Sequence, residues 1–242
     1  MNLFFKRTIP GQTTLTIDGE PVRILVRVNA RAKSYRLSLP NSGIPTLTLP
    51  PSGRWREAEA FLLRHREWLA ERLARHAPMV LGDGAMVPLR GVAHRIVATG
   101  RTRGRVEQVQ EAGEPVLLVP GEPLHLPRRL MDWMKAQALV DLSRQTAVHA
   151  GRLGVTVRSV KLRSQSTRWG SCSSSGNLNY NWRLIAAPSF VLDYVAAHEV
   201  AHLIEMNHSP AFWATVRRTL PEMERGRDWL KANGRDLMQL GA

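Results

Sequence analysis

His198 and His202 stand four residues apart within the apolar run PSFVLDYVAAHEVAHLIEM (188–206), and this spacing constrains the chain more than any other feature. Two imidazoles four apart share one face of a helix, one turn from each other, so a helical run lets both reach a single ion. The apolar content of the run predicts a helix, with Ser189 as a candidate N-cap. Glu199 then lies about 100° around the axis from His198. From there it can lean towards a metal-bound water without ligating the metal. This is the H-E-x-x-H pattern, in which zinc lowers the pKa of its water and the glutamate takes the proton.

A third imidazole, His208, follows six residues after His202, within NHSP, a stretch that breaks the helix and lets the chain turn back. His198, His202 and His208 are therefore the candidate ligands of one Zn2+ per chain, with Glu199 as the candidate catalytic base. Neutral imidazoles with one open position suit zinc. Glu205, Glu222 and Glu224 compete with His208 for the third place. The spacing equals that of H-E-x-x-H-x-x-G-x-x-H, but Glu205 occupies the glycine position and no Met-turn follows. Cys172 is the single cysteine, so no disulfide can form within the chain; as a thiolate it would be a fourth ligand masking the metal.

The chain has 242 residues and a formal net charge of +14, with 29 arginines and 5 lysines. Residues 1–125 and 126–242 each carry +7, so there is no detachable basic tail. Such a charge attracts polyanions, and guanidinium matches phosphate oxygens, which gives an expectation of nonspecific nucleic-acid binding. No apolar run approaches the ~20 residues of a membrane span, and the start lacks a secretory apolar core. The expected setting is cytoplasmic, with no membrane partner.

Residues 12–50 alternate as strands, with DGE and PNSG as turns. Residues 56–77 change to helical spacing, and 80–125 return to short strand-like runs. The longest helix is expected over 126–154, with Pro127 in its first turn and Gly151 or Gly154 at its end. The alternating runs 155–164 and 176–185 are expected to pair as a hairpin around the polar loop QSTRWGSCSSS. In that loop Trp169 reads as packing, and Gly170 and Gly176 as turn residues. Arg168, Asn181 and Tyr194 are candidates for binding substrate or stabilising an oxyanion. The strand after residue 176 is a candidate edge for an extended substrate. The sequence shows no internal repeat. A β-rich half, 1–125, and a mainly helical half, 126–242, with one small sheet make an α+β chain.

The stretch SQSTRWGSCSSSGNLNYNWRLIAAPSFVLDYVAAHEVAHLIEMNHSPAFW resembles the signature of the YgjP-like metal-dependent hydrolases, relatives of the SprT-like and WLM zinc metallopeptidases. RAKSYRLSL and the helix around FLLRHREWLAERL resemble that family's N-terminal part. The resemblance implies a zincin-like catalytic core in the helical half and assigns His198, His202, His208 and Glu199 to its site. The expected activity is metal-dependent hydrolysis of a peptide or protein. Two other readings stay open: hydrolysis of a nucleotide phosphoanhydride with the same metal and base, and a nucleic-acid-binding module with a structural zinc.

Overall fold

The computed structural model describes residues 9–40, 43–74, 81–165 and 167–241, and the fold is mixed α+β. Two compact units divide at Pro78/Met79 rather than near residue 125. Each has its own core, one built from Leu15 to Leu69 and the other from Leu81 to Leu240.

The first unit opens with a hairpin, β1 (Gln12–Ile17) and β2 (Glu20–Val28), turned by Asp18 and Gly19 at φ 50° and 87°. Two consecutive positive φ values match the right-handed twist of the strands, which is why an Asp-Gly pair serves here. β3 (Arg36–Ser38) and β4 (Thr46–Leu49) complete a sheet of order β1-β2-β4-β3, with β2 and β4 parallel. Asn41 and Ser42 of the expected PNSG turn lie outside the described residues. The expected helix over 56–77 is two helices, α1 (Trp55–Arg64) and α2 (Arg66–Ala74), interrupted at His65; residues 75–77 are not described. Ala58, Leu62 and Leu69 close the core against Ile24, Leu47 and Leu49 of the sheet.

The second unit starts by repeating that plan. Strands β5 (Met86–Leu89), β6 (Val92–Ala98), β7 (Glu107–Glu111) and β8 (Glu114–Val119) form a sheet of order β5-β6-β8-β7. Both sheets have antiparallel outer pairs and a parallel central pair, and each runs into a helix. The chain therefore contains a topological repeat that its residues conceal. The repeat also explains the boundary. Val87, Leu89, Ile96, Leu117 and Val119 share one core with Leu130 and Met134 of α3 (Leu126–Leu153), so the second sheet belongs with the helices that follow it. Gly154 ends α3 in the left-handed conformation at φ 68°.

The third sheet differs from the expected hairpin. β9 (Ser159–Arg163) and β11 (Asn177–Asn181) lie side by side in parallel, and β10 (Gly170–Cys172), inside the polar loop, forms the antiparallel pair with β11. The order β10-β11-β9 makes β11 the centre of the sheet and β10 an edge. The strand after residue 176 was the expected edge for an extended substrate, but both sides of β11 are taken, so a substrate strand cannot pair with it. A three-residue strand containing Gly and Ser carries too little periodicity to be seen in sequence.

Against this sheet packs α4 (Ser189–Ala201), followed by α5 (Pro210–Thr219) and α6 (Met223–Leu237). Buried His149, which has no metal-ligand spacing, ties these elements together. Its ring nitrogens bond Thr219 Oγ1 at 2.8 Å and Asp193 Oδ1 at 2.9 Å, linking α3 to the end of α5 and to α4. Gly226 lets α6 approach α4, since a Cβ there would collide with Tyr194. No helix of the described residues is long and apolar enough to cross a membrane.

Candidate metal centre

α4 carries His198 and Glu199 in its last turn, and His202 caps it in right-handed helical geometry at φ −63°. His208 lies just before α5. That helix starts at Pro210, with the Ser209 hydroxyl accepting a hydrogen bond from Phe212 N at 3.3 Å. The cap fixes where the returning chain presents His208.

The three imidazoles converge. One ring nitrogen from each lies within 4.8 Å of the others, and His198 Nε2 is 3.1 Å from His208 Nε2. Two donors about 2.0–2.1 Å from a tetrahedral zinc lie roughly 3.3–3.4 Å apart, close to that spacing. His202 Nδ1 donates to the Glu205 carbonyl at 3.0 Å, which leaves Nε2 bare for a ligand. His198 Nδ1 is buried without a hydrogen-bond partner among the described residues. Burial first, then the nearby His202 and His208, push the His198 imidazolium down to about 3. Burial also lowers His202. Neutral, closely set imidazole donors are what a zinc-like ion requires, so the residues present fit such a metal.

Among the described residues no carboxylate or thiol joins this group. Glu224 is held by Arg217 at 2.8 Å, Glu222 caps α6, and Glu205 contributes its carbonyl to His202. The Cys172 thiol, pushed up to about 11 by burial and by Glu199, donates to the Ser173 carbonyl at 3.4 Å.

Phe212 backs the cluster. Its ring centroid lies 4.9, 4.5 and 4.8 Å from those of His198, His202 and His208. Trp213 stacks on His208 at 5.7 Å. Sequence reasoning passed over Phe212, although its place three residues after the N-cap points it back over the turn that carries His208.

Glu199 is 5% exposed and lies against the backbone of β10. A Cβ on Gly170 would overlap the Glu199 carboxylate. Gly170 was expected to serve a turn, but it lies in β10, where it makes room for a side chain 29 positions later. Burial pushes the Glu199 carboxyl up to about 8, against the opposing pull of Arg168. Tyr194, one turn before His198, brings its ring to 5.9 Å from that imidazole. Asn181 is 1% exposed. Its amide donates to the Gln165 carbonyl at 2.7 Å and its oxygen accepts from Arg183 N at 3.2 Å, so it fastens the loop leading to β10. Trp169 packs on Gly234 of α6, as its packing role predicts.

The family model of the YgjP-like metallopeptidase domain matches residues 33–233. The chain belongs to the YgjP-like family. Membership marks it as a metal-dependent peptidase and covers parts of both compact units. The His198–His202–His208 cluster can hold the metal. Among solved structures, the metallopeptidase zymogen of Pyrococcus abyssi, abylysin, is 19% identical, with a TM-score of 0.36 over 38% of this chain and 93% of that one. Comparison with curated proteins gives no significant match.

Proposed function

We propose that this YgjP-like protein is a zinc peptidase in which Glu199 is the general base and the outer edge of β10 holds the substrate main chain. The observation that carries this reading is a three-imidazole cluster on the same helix end as a buried carboxylate that is itself seated on an edge strand.

The strand register supports the substrate track. Asn181 N donates to Trp169 O at 2.8 Å and Ser173 N to Asn177 O at 3.0 Å, so residues 169, 171 and 173 pair inward with β11. Alternation turns the N–H and C=O groups of Gly170 and Cys172 outward. An extended peptide added there gains main-chain hydrogen bonds next to Glu199. Exposed Ile204 and Met206, between His202 and His208, offer apolar contact to its side chains. Bound at the histidines, zinc supplies Lewis acidity to a carbonyl and acidity to water. Glu199 takes the proton from water on a carboxylate oxygen and passes it to the leaving amine. Its buried setting, which favours the protonated form, suits a group that holds and then releases a proton. Arg168, which acts electrostatically on Glu199, and Tyr194 beside His198 steady the oxygen on which charge develops.

Glu199→Gln tests the reading. The variant is expected to keep about one zinc per chain and its fold, and to lose peptide hydrolysis by at least ~10²-fold. An unchanged rate would remove Glu199 as the base. Zinc-dependent pyrophosphate release from nucleoside triphosphates, abolished in the same variant and without peptide cleavage, would replace the peptide with a phosphoanhydride.

A further inference from the structure

The two four-stranded sheets share one topology but present opposite chemistry on the face turned away from their cores. In the first unit Ile24, Val26, Leu37, Leu47 and Leu49 point to the core. Alternation sends Arg23 and Arg27 of β2 and Arg36 of β3 to the other face, together with the hydroxyls of Thr14, Thr16 and Thr48. The register sets Arg27, Thr48 and Arg36 in one row across the sheet and places Arg23 opposite Thr14. All three arginines are exposed, and none forms an ion pair among the described residues. No acidic side chain of these four strands points to that face. A shallow concavity of ≈ 600 Å³ lies over it, lined in part by Leu25, Arg27, Ser38 and Thr48.

The second unit gives the internal comparison. There the corresponding face carries Met86, Val97 and Leu118, with Glu107, Glu111 and Glu114. Its one arginine, Arg95, is paired with Glu111 at 3.5 Å and Glu114 at 3.6 Å. An arginine-rich composition alone would have decorated both faces alike. The concentration of unpaired cations belongs to one copy of the repeat.

We propose that the open face of β1–β4 binds the phosphodiester backbone of duplex nucleic acid. Arg23 and Arg27 are four residues apart along a strand, about 13 Å, and Arg27 and Arg36 are two strands apart, about 10 Å, a spread that reaches several phosphates of a duplex. Guanidinium pairs bidentately with phosphate oxygens, and Thr and Ser hydroxyls add neutral contacts. Among the described residues the face carries no aromatic ring on which unpaired bases would stack, so it favours a duplex over a single strand. It offers backbone contacts only, and binding is independent of sequence.

The test is fluorescence anisotropy with a labelled 20-base-pair duplex across 50–200 mM salt. A triple variant, Arg23→Gln, Arg27→Gln and Arg36→Gln, is compared with a charge-matched set scattered over exposed positions, Arg64→Gln, Arg144→Gln and Arg235→Gln. Three neutralised phosphates contribute a slope of about −2.7 in log K against log salt, or about 40-fold in affinity over that salt range. The face variant is expected to lose that slope and at least tenfold in affinity at 100 mM, and the scattered variant less than threefold. Equal losses, or wild-type binding by the face variant, overturn the proposal. So does tighter binding of a poly-glutamate peptide than of the duplex, which would make the partner an acidic protein. Should the triple variant melt early, Thr48→Glu places one negative charge between Arg27 and Arg36 and is read the same way. None of these measurements depends on zinc or on hydrolysis.

Discussion

Replacing Gly170 by alanine adds one methyl group and tests how the edge strand and the proposed base are built together. An ideal Cβ at that position overlaps a carboxylate oxygen of Glu199 and lies 2.5 Å from its Cδ and 2.6 Å from its Cγ. Real carbon contacts are about 3.5–4.0 Å, so the side chain or the strand has to move by about 1 Å. Glu199 is 5% exposed, which leaves it little room. Overpacking of this kind costs ~1–3 kcal/mol. In a chain of this size each kcal/mol lowers Tm by roughly 2–4 °C, so a fall of about 2–12 °C is expected. Displacing a base by about 1 Å costs on the order of 10²-fold in rate. Zinc content should stay at the wild-type level, because the clash does not touch the imidazoles. The decisive assay is a double-mutant cycle by thermal denaturation. Glu199→Ala deletes Cγ, Cδ and the oxygens, so Gly170→Ala should cost at least ~1 kcal/mol less in that background. If Gly170→Ala destabilises both backgrounds equally, the glycine is there for another reason and the contact reasoning fails.

Two further outcomes follow from the site. His208→Ala should lose most of the zinc measured by elemental analysis, whereas Glu224→Ala, which removes only an exposed partner of Arg217, should retain it. The reverse would move the third ligand to α6. Cys172, with its thiol pushed up to about 11, should be alkylated at pH 7.5 at least ~10-fold more slowly than a free cysteine of pKa ~8.5, and no faster after chelation of the metal. Labelling that accelerates on chelation would make Cys172 a ligand.

The candidate site was legible because it is local. His198, Glu199 and His202 are set by one helical period, and Ser209-Pro210 fixes the return of His208 within a few residues. Asp18-Gly19 announced its hairpin for the same reason. Three features were hidden because each depends on residues far apart in the chain. The parallel pairings of β2 with β4, β6 with β8, and β9 with β11 need crossovers that leave no turn signature. Without them the repeat and the boundary at 78/79 cannot be read, and β11, the centre of its sheet, reads as an edge. Gly170 looks like a turn residue until the carboxylate beside it is seen, and the bond from the Asn181 amide to the Gln165 carbonyl has no signature in the sequence. The two kinds of information meet at Glu199. Its place on α4 comes from helical periodicity, but the backbone it is buried against comes from a three-residue strand with almost no periodicity of its own. Helical spacing was therefore enough to single out the three-imidazole cluster and the carboxylate beside it, whereas proposing where a peptide would lie required the order of the sheet.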